Sequence, residues 1–254
     1  MPPIDSVSLR IVNDIANVWH YDDWFLPHDK FSDSGVFDQA NQIQEQAGIE
    51  RHRFFDMARV ERDALKLWAS QEAVVTGPFS QFLLLVASQL ENVHLRAQFL
   101  EVATGEHNRL KKSQAPNSHP WLLHRLCSSM GINGADVSPA HATIEFLTAL
   151  ASATSNTMRA LGALGVGNER MLIPEYTAVK VCFEHCYPEA DYRGFLMANI
   201  AEDAEHTRII ENVARMLARQ GHDENEYLIG AQLGVEARVL YYDNLLSYYM
   251  SSKS

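Results

Sequence analysis

Three polar residues interrupt an apolar helical stripe in the last quarter of the chain. In FLMANIAEDAEHTRIIENVARML (195–217), Leu196, Ile210, Val213 and Leu217 recur at helical spacing, and Asn199, Asp203 and His206 fall on the same face. An amide, a carboxylate and an imidazole on a core-facing stripe are unfavourable unless hydrogen-bonded, paired or bound to metal. A carboxylate and a histidine at i, i+3 facing inward is also a spacing by which helical bundles hold metal ions. Glu202 and Glu205 lie on flanking faces and are expected to be solvated.

Other segments carry the same anomaly. In LRAQFLEVATGEHNRL (95–110), Leu95, Phe99, Val102 and Ala103 lead along one face to Glu106, with Glu101 off that face and His107 expected at the surface or as a cap. In GVGNERMLIPEY (165–176), Glu169 precedes Leu172, Ile173 and Tyr176 at i+3, i+4 and i+7 and tends inward. A glutamate after Gly-Asn equally suits a helix N-terminus, where the macrodipole favours negative charge. His119 opens HPWLLHRLCSSMGI (119–132), either as a helix-start residue with Pro120 at the first helical position or pointing inward with Leu122, Leu123 and Leu126. Three carboxylates and two histidines on apolar faces combine hard oxygen donors with imidazole, a set that suits a di-iron or related centre. A rival pairing of Glu91 and His94 with Asp203 and His206 is disfavoured, because SQLENVHLRAQ reads as an interhelix turn. No Ser-His-Asp arrangement, phosphate-cradling glycine loop or CxxC zinc spacing is present.

The elements that must position these residues are helices. From about Phe54 onward the periodicity is helical and no alternating strand appears. Helices are expected over roughly 54–72, 79–90, 95–110, 119–130, 140–163, 167–187, 191–219 and 225–250. Thr76-Gly77-Pro78, Lys112–Ser118, Gly131, Gly165 and Gly167, Pro188 and Gly221 mark the stops. The first fifty residues read as irregular, with WHYDDWF and HDKFSDSG, and are expected to wrap the bundle or close a pocket mouth; residues 51–254 form one all-α domain.

A formal charge of −11 across 254 residues argues against a nucleic-acid footprint. No apolar run approaches the ~20 residues that span a bilayer. The N-terminal MPPIDSVSLR lacks a basic region followed by an apolar one, so the expected compartment is the cytoplasm, where Cys127, Cys182 and Cys186 stay reduced as ordinary buried thiols. Arg159, Arg170 and Lys180 are candidate anchors for a substrate carboxylate, with surface solvation the simpler expectation.

The order of the segments resembles the haem-oxygenase-like helical fold, which includes the TenA and PqqC families. The resemblance runs from about Leu65 to Tyr242. It is carried by LKLWASQEAVVTGPFSQFLLLVASQL, by LRAQFLEVATGEHN followed by HPWLLHRLCSSMGI, and by GVGNERMLIPEYTAV, FLMANIAEDAEH and VEARVLYYDNLL. It implies a single-domain bundle of about seven to eight helices and a homodimeric habit. Within the fold the chain is most similar to di-iron oxidases and oxygenases, whose ligands fall here on Glu106, His119, Glu169, Asp203 and His206. By this resemblance Glu106, Glu169 and Asp203 are the catalytic carboxylates. The sixth ligand position, a histidine in that family, is Asn199, so two irons are implied but one of the two sites is weakened or lost. The implied activity is O2-dependent oxidation of a small amino-acid-, amine- or carboxylate-derived biosynthetic precursor. A cofactorless PqqC-like oxidase and a non-catalytic small-molecule-binding member of the fold are the alternatives. Thiaminase chemistry is not implied, since Glu175 follows Pro174 where a nucleophilic cysteine is needed, and His20 and His28 are poor candidates for a haem ligand.

Overall fold

Helical periodicity becomes helix throughout the computed structural model, which describes residues 35–107 and 118–253. Among these residues there is no strand, and the helices are α1 (Val36–Ala47), α2 (Arg53–Ala58), α3 (Arg62–Gln89), α4 (Val93–Gly105) and α5 (His119–Ser129). They continue as α6 (His141–Ala153), α7 (Thr157–Leu164), α8 (Met171–Cys186), α9 (Arg193–Arg219) and α10 (Glu224–Ser252). Short 3₁₀ turns at Ile49–Arg51 and Gly134–Asp136 and a π-turn at Gly165–Arg170 complete the order. The all-α, single-domain haem-oxygenase-like architecture expected from the segment order is the one observed. No described helix is long and apolar enough to cross a membrane.

Two long helices organise the rest. α10 packs along α7 and against α1 and α6, while α9 lies against α4, α5, α8 and the π-turn. On α9 the buried face includes Leu196, Asn199, Asp203, His206, Ile210, Val213 and Leu217, so the polar interruption of the stripe lies inside the bundle. Each fully buried aliphatic side chain on such a face contributes roughly 1.5–3 kcal/mol of transfer free energy. That apolar flank holds the three polar residues in place.

Four boundaries differ from the sequence reading. Residues 36–47, expected to be irregular, form α1, because Phe37, Ala40 and Gln44 share one buried face; WHYDDWF, HDKFSDSG, His20 and His28 lie outside the described residues, as does most of the 108–118 loop. Thr76-Gly77-Pro78 does not end a helix: α3 runs through Pro78. An interior proline costs about 3 kcal/mol, but buried Val75, Phe79, Leu83 and Val86 continue the stripe across it, and their packing outweighs the loss. The helix expected over 140–163 breaks after Ala153, where the Asn156 side chain caps α7 by accepting from the Arg159 backbone N–H at 3.0 Å.

Gly165 and Gly167 do not stop a helix either. The chain passes from α7 through the π-turn into α8 without a break. The glycine at 167 serves close approach instead, since a Cβ there would stand 2.5 Å from Gly234 Cα on α10. Backbone-to-backbone packing therefore replaces the chain break that the two glycines suggested.

Candidate metal centre

Four segments bring their polar side chains to one buried place. Glu106 caps the C-terminal end of α4, His119 opens α5, Glu169 sits in the π-turn, and Asn199, Asp203 and His206 project from α9. All six are no more than 5% exposed. The backbone N–H of His119 donates to the Glu106 carbonyl at 3.1 Å, which joins the end of α4 to the start of α5. The two readings of His119 are thus both satisfied, because the residue starts a helix and is buried. Glu169 is not a helix-start residue. It lies within continuous helix, in the local widening that π-turns provide and that often accompanies functional sites.

The two oxygens of Glu106 face different imidazoles. Oε2 lies 3.2 Å from His119 Nδ1 and Oε1 lies 3.9 Å from His206 Nδ1. His206 Nδ1 also meets Glu169 Oε2 at 3.3 Å. Glu106, Glu169 and His206 each offer a donor atom, and the three atoms lie within 4.8 Å of one another. Close packing sets this geometry: a Cβ on Gly105 would fall 2.5 Å from His206 Nε2, and the ring would have to shift to admit it. His119 stands outside this group of three. Its Nε2 approaches Glu202 Oε2 at 3.5 Å without forming a hydrogen bond.

Burial sets the protonation of the cluster together with mutual attraction. Burial pushes the Asp203 carboxyl well above the ordinary range, and the neighbouring Glu169 adds to the effect. Burial raises Glu169 as well, against the pull of His206. For Glu106 burial is outweighed by His119 and His206, and its carboxyl is held below the usual value. Burial disfavours both imidazolium ions, yet Glu106 lifts His119 well above its ordinary value and Glu169 lifts His206.

Several buried polar atoms in the cluster have no hydrogen-bond partner: both carboxylate oxygens of Asp203, Oε1 of Glu169 and Nε2 of His119. Orphaned buried acceptors are costly and call for a ligand. Hard carboxylate oxygens with imidazole suit a divalent first-row metal such as iron, so the residues present fit an ion of that kind. Asn199 differs from the others. Its Nδ2 is turned back to donate to the Phe195 carbonyl of its own helix at 2.7 Å.

The sequence reading missed some neighbours. Glu202, expected to be solvated, has a half-exposed side chain that forms the edge of the cluster beside His119. Asn168 is buried next to Glu169, with its Oδ1 unpartnered. Behind the site, Arg238 forks onto both oxygens of Glu175 and reaches both oxygens of Glu72 at 3.3 Å. Tyr176 donates to Glu72 at 2.8 Å and Tyr242 to Glu175 at 2.6 Å. The position of Glu72 between Trp68 and Val75 on the α3 stripe was a readable signal of burial. Arg238, between Val235 and Tyr241 on α10, was another.

Other candidates are placed elsewhere. Glu91, His94 and Glu101 are exposed, as expected. His107 is part-buried, its Nε2 3.2 Å from Ser80 Oγ. Arg159 pairs with Glu226, Arg170 with Gln44 and Glu45, and Lys180 with Glu184. The cysteines are free thiols, and burial pushes Cys127 up to about 11 and Cys182 to about 12, which removes them as nucleophiles at neutral pH.

Comparison with known proteins agrees with this architecture. The model of a family described as iron-containing redox enzymes matches residues 66–239. A CADD-like protein of unknown function from Nostoc punctiforme PCC 73102 superposes with a TM-score of 0.70 at 19% identity, covering 84% of this chain and 96% of that one. A TenA homolog from Pseudomonas syringae pv. tomato DC3000 superposes with a TM-score of 0.60 at 11% identity, covering 84% of this chain and 91% of that one. At these identities the two structures establish a shared fold. No curated protein matches significantly.

Proposed function

We propose that this chain, which belongs to the family of iron-containing redox enzymes, is an O2-dependent oxidase or oxygenase that holds iron on Glu106, Glu169, Asp203 and His206. The observation that carries this reading is the buried group of Glu106, Glu169 and His206, with donor atoms within 4.8 Å of one another and unpartnered oxygens on Glu169 and Asp203 beside it. Iron bound there supplies one-electron redox chemistry and a place to activate O2.

The remaining residues hold, orient and exclude. Glu106, Glu169 and Asp203 would supply the negative charge to offset a divalent or trivalent cation at a site that is buried apart from its edge at Glu202. His119 orients Glu106 by donating from Nδ1 to Oε2. Glu202 at the half-exposed edge stands 3.5 Å from His119 Nε2, and His119 Nδ1 faces the Glu106 carboxylate, so the imidazole lies between the solvent edge and Glu106. A pocket of ≈ 300 Å³ between α3 and α5, lined by Ala73, Val74, Pro120, Leu123 and Ile132, reaches Thr76, which also borders the cavity beside Glu106. Its size and mostly apolar lining, with Thr76 and His124 as polar groups, suit a small organic substrate, which we take to be an amino-acid-, amine- or carboxylate-derived precursor.

The test is to load the purified chain with ferrous iron under anaerobic conditions, admit O2 and follow both bound iron and O2 uptake. Bound iron with O2 consumption, both lost in Glu169→Ala and His206→Ala variants that remain folded, is the expected result. Failure of the folded wild-type chain to bind iron would overturn the reading.

A further inference from the structure

The place beside Asn199 is not built for a cation. A cavity of ≈ 20 Å³ lies there, bordered by Glu106 and Asn199 together with Asn168, Glu72, Tyr176 and Thr76. Asn168 and Asn199 are neutral amides, and the Asn199 nitrogen is already engaged by the Phe195 carbonyl. The carboxylate of Glu72 is also committed, since it accepts from Tyr176 and from Arg238. The group of three carboxylate or imidazole donors found among the described residues lies on the Oε1 side of Glu106, toward His206 and Glu169. On the Oε2 side stands His119, and the small cavity that Glu106 also borders is lined by the amide of Asn199.

We infer that this chain holds one metal ion rather than two, and that the cavity at Asn199 holds a single water-sized neutral molecule in the second ion's place. The inference rests on the iron-binding reading above and concerns how many ions that site takes. Three observations carry it. The volume admits about one water, for which roughly 10–15 Å³ is the minimum. The lining supplies the two to four polar partners that a buried water needs. Asn168 Oδ1 is buried and has no partner of its own, so it stands ready to accept from such a molecule.

The experiment counts ions and does not depend on turnover. The full chain is saturated with ferrous iron anaerobically and freed of excess metal, and iron per chain is measured by elemental analysis. One equivalent is expected, and two would overturn the inference while leaving the iron-binding reading intact. No bound iron would overturn both. Crystals of the iron-loaded protein should show one anomalous peak among Glu169, Asp203 and His206, and a peak against Asn199 would refute the assignment. Asn199→Ala should keep one equivalent with affinity within about twofold, whereas a loss of tenfold or more would make Asn199 a ligand. Asn199→His, shown folded by circular dichroism, should take up a second equivalent. A folded variant that stays at one would show that the residue at 199 does not decide the count.

Discussion

Gly105 and His206 are packed so closely that a Cβ at 105 would stand 2.5 Å from the imidazole Nε2, and the ring would have to shift to admit it. α4 and α9 meet at this point, and the contact directs His206 Nδ1 toward Glu169 and Glu106. The substitution Gly105→Ala must therefore move the imidazole. Metal affinity is expected to fall by roughly 10–100-fold, the range seen when supporting residues of metal sites are changed. Competition against a chelator would measure it, and unchanged affinity would mean that His206 does not bind the ion. Helix propensity alone would favour alanine by about 1 kcal/mol, so weakened binding without a matching loss of helix stability would separate the two effects.

The buried network behind the site makes a separate prediction about stability. Arg238, Glu72 and Glu175 are each 1% exposed or less. Arg238→Met would leave two carboxylates in the interior without their cation, which should cost about 3–5 kcal/mol. Tyr242→Phe removes the hydrogen bond to the Glu175 carboxylate and the acceptor of the buried Trp68 Nε1–H, and should cost about 1.5–3 kcal/mol. Urea denaturation of both variants would check the order, and an Arg238→Met midpoint equal to wild type would contradict it.

The metal-free protein should lose stability as pH rises. His119 and His206 sit above their ordinary 6.5, because Glu106 and Glu169 overcome the opposing effect of burial. Glu169 and Asp203 sit above their ordinary 4.5 and 3.8 because burial disfavours their charged forms. All four groups bind protons more tightly folded than unfolded. Their contribution is full below the unfolded values and is lost as pH rises through the folded ones. Glu106, lowered from 4.5, acts in the opposite sense and loses its contribution only as pH falls through its folded value. The urea midpoint of the apo-protein should therefore fall as pH rises above the ordinary values of these groups, first those of the two carboxyls and then the 6.5 of the two imidazoles. A bound divalent ion replaces the protons and should flatten or reverse that slope. A flat apo profile would contradict the assigned protonation.

The thiols should be inert in the native state. Cys182 donates to the Phe55 carbonyl and Cys127 to that of Ala69. With their thiols raised to about 12 and about 11 by burial, alkylation near pH 7.5 should be slow for both until the protein unfolds. Mass-spectrometric labelling with and without urea would read this. Rapid native labelling of Cys182 would reopen thiol chemistry.

The sequence by itself determined the helical class and the inward faces. Apolar spacing of three and four residues survives any choice of neighbours, so Leu95, Phe99 and Val102 marked the buried face of α4 and Leu196, Ile210 and Leu217 that of α9. The same pattern made Glu106, Asp203 and His206 conspicuous as polar residues on those faces. What it could not fix was which helices continue. Pro78 and the Gly165/Gly167 pair carry local signals of breaking, and only long-range packing against other helices overrides them. Nor could it fix which polar groups meet. The division of Glu106 between His119 and His206 and the enclosure of Arg238 by Glu72 and Glu175 depend on segments brought together across 13 to 166 positions of chain. Local sequence sets which face a residue takes. The partner it meets there is set by how the helices pack, and in this protein that packing sets the two oxygens of Glu106 against two different imidazoles, His119 and His206.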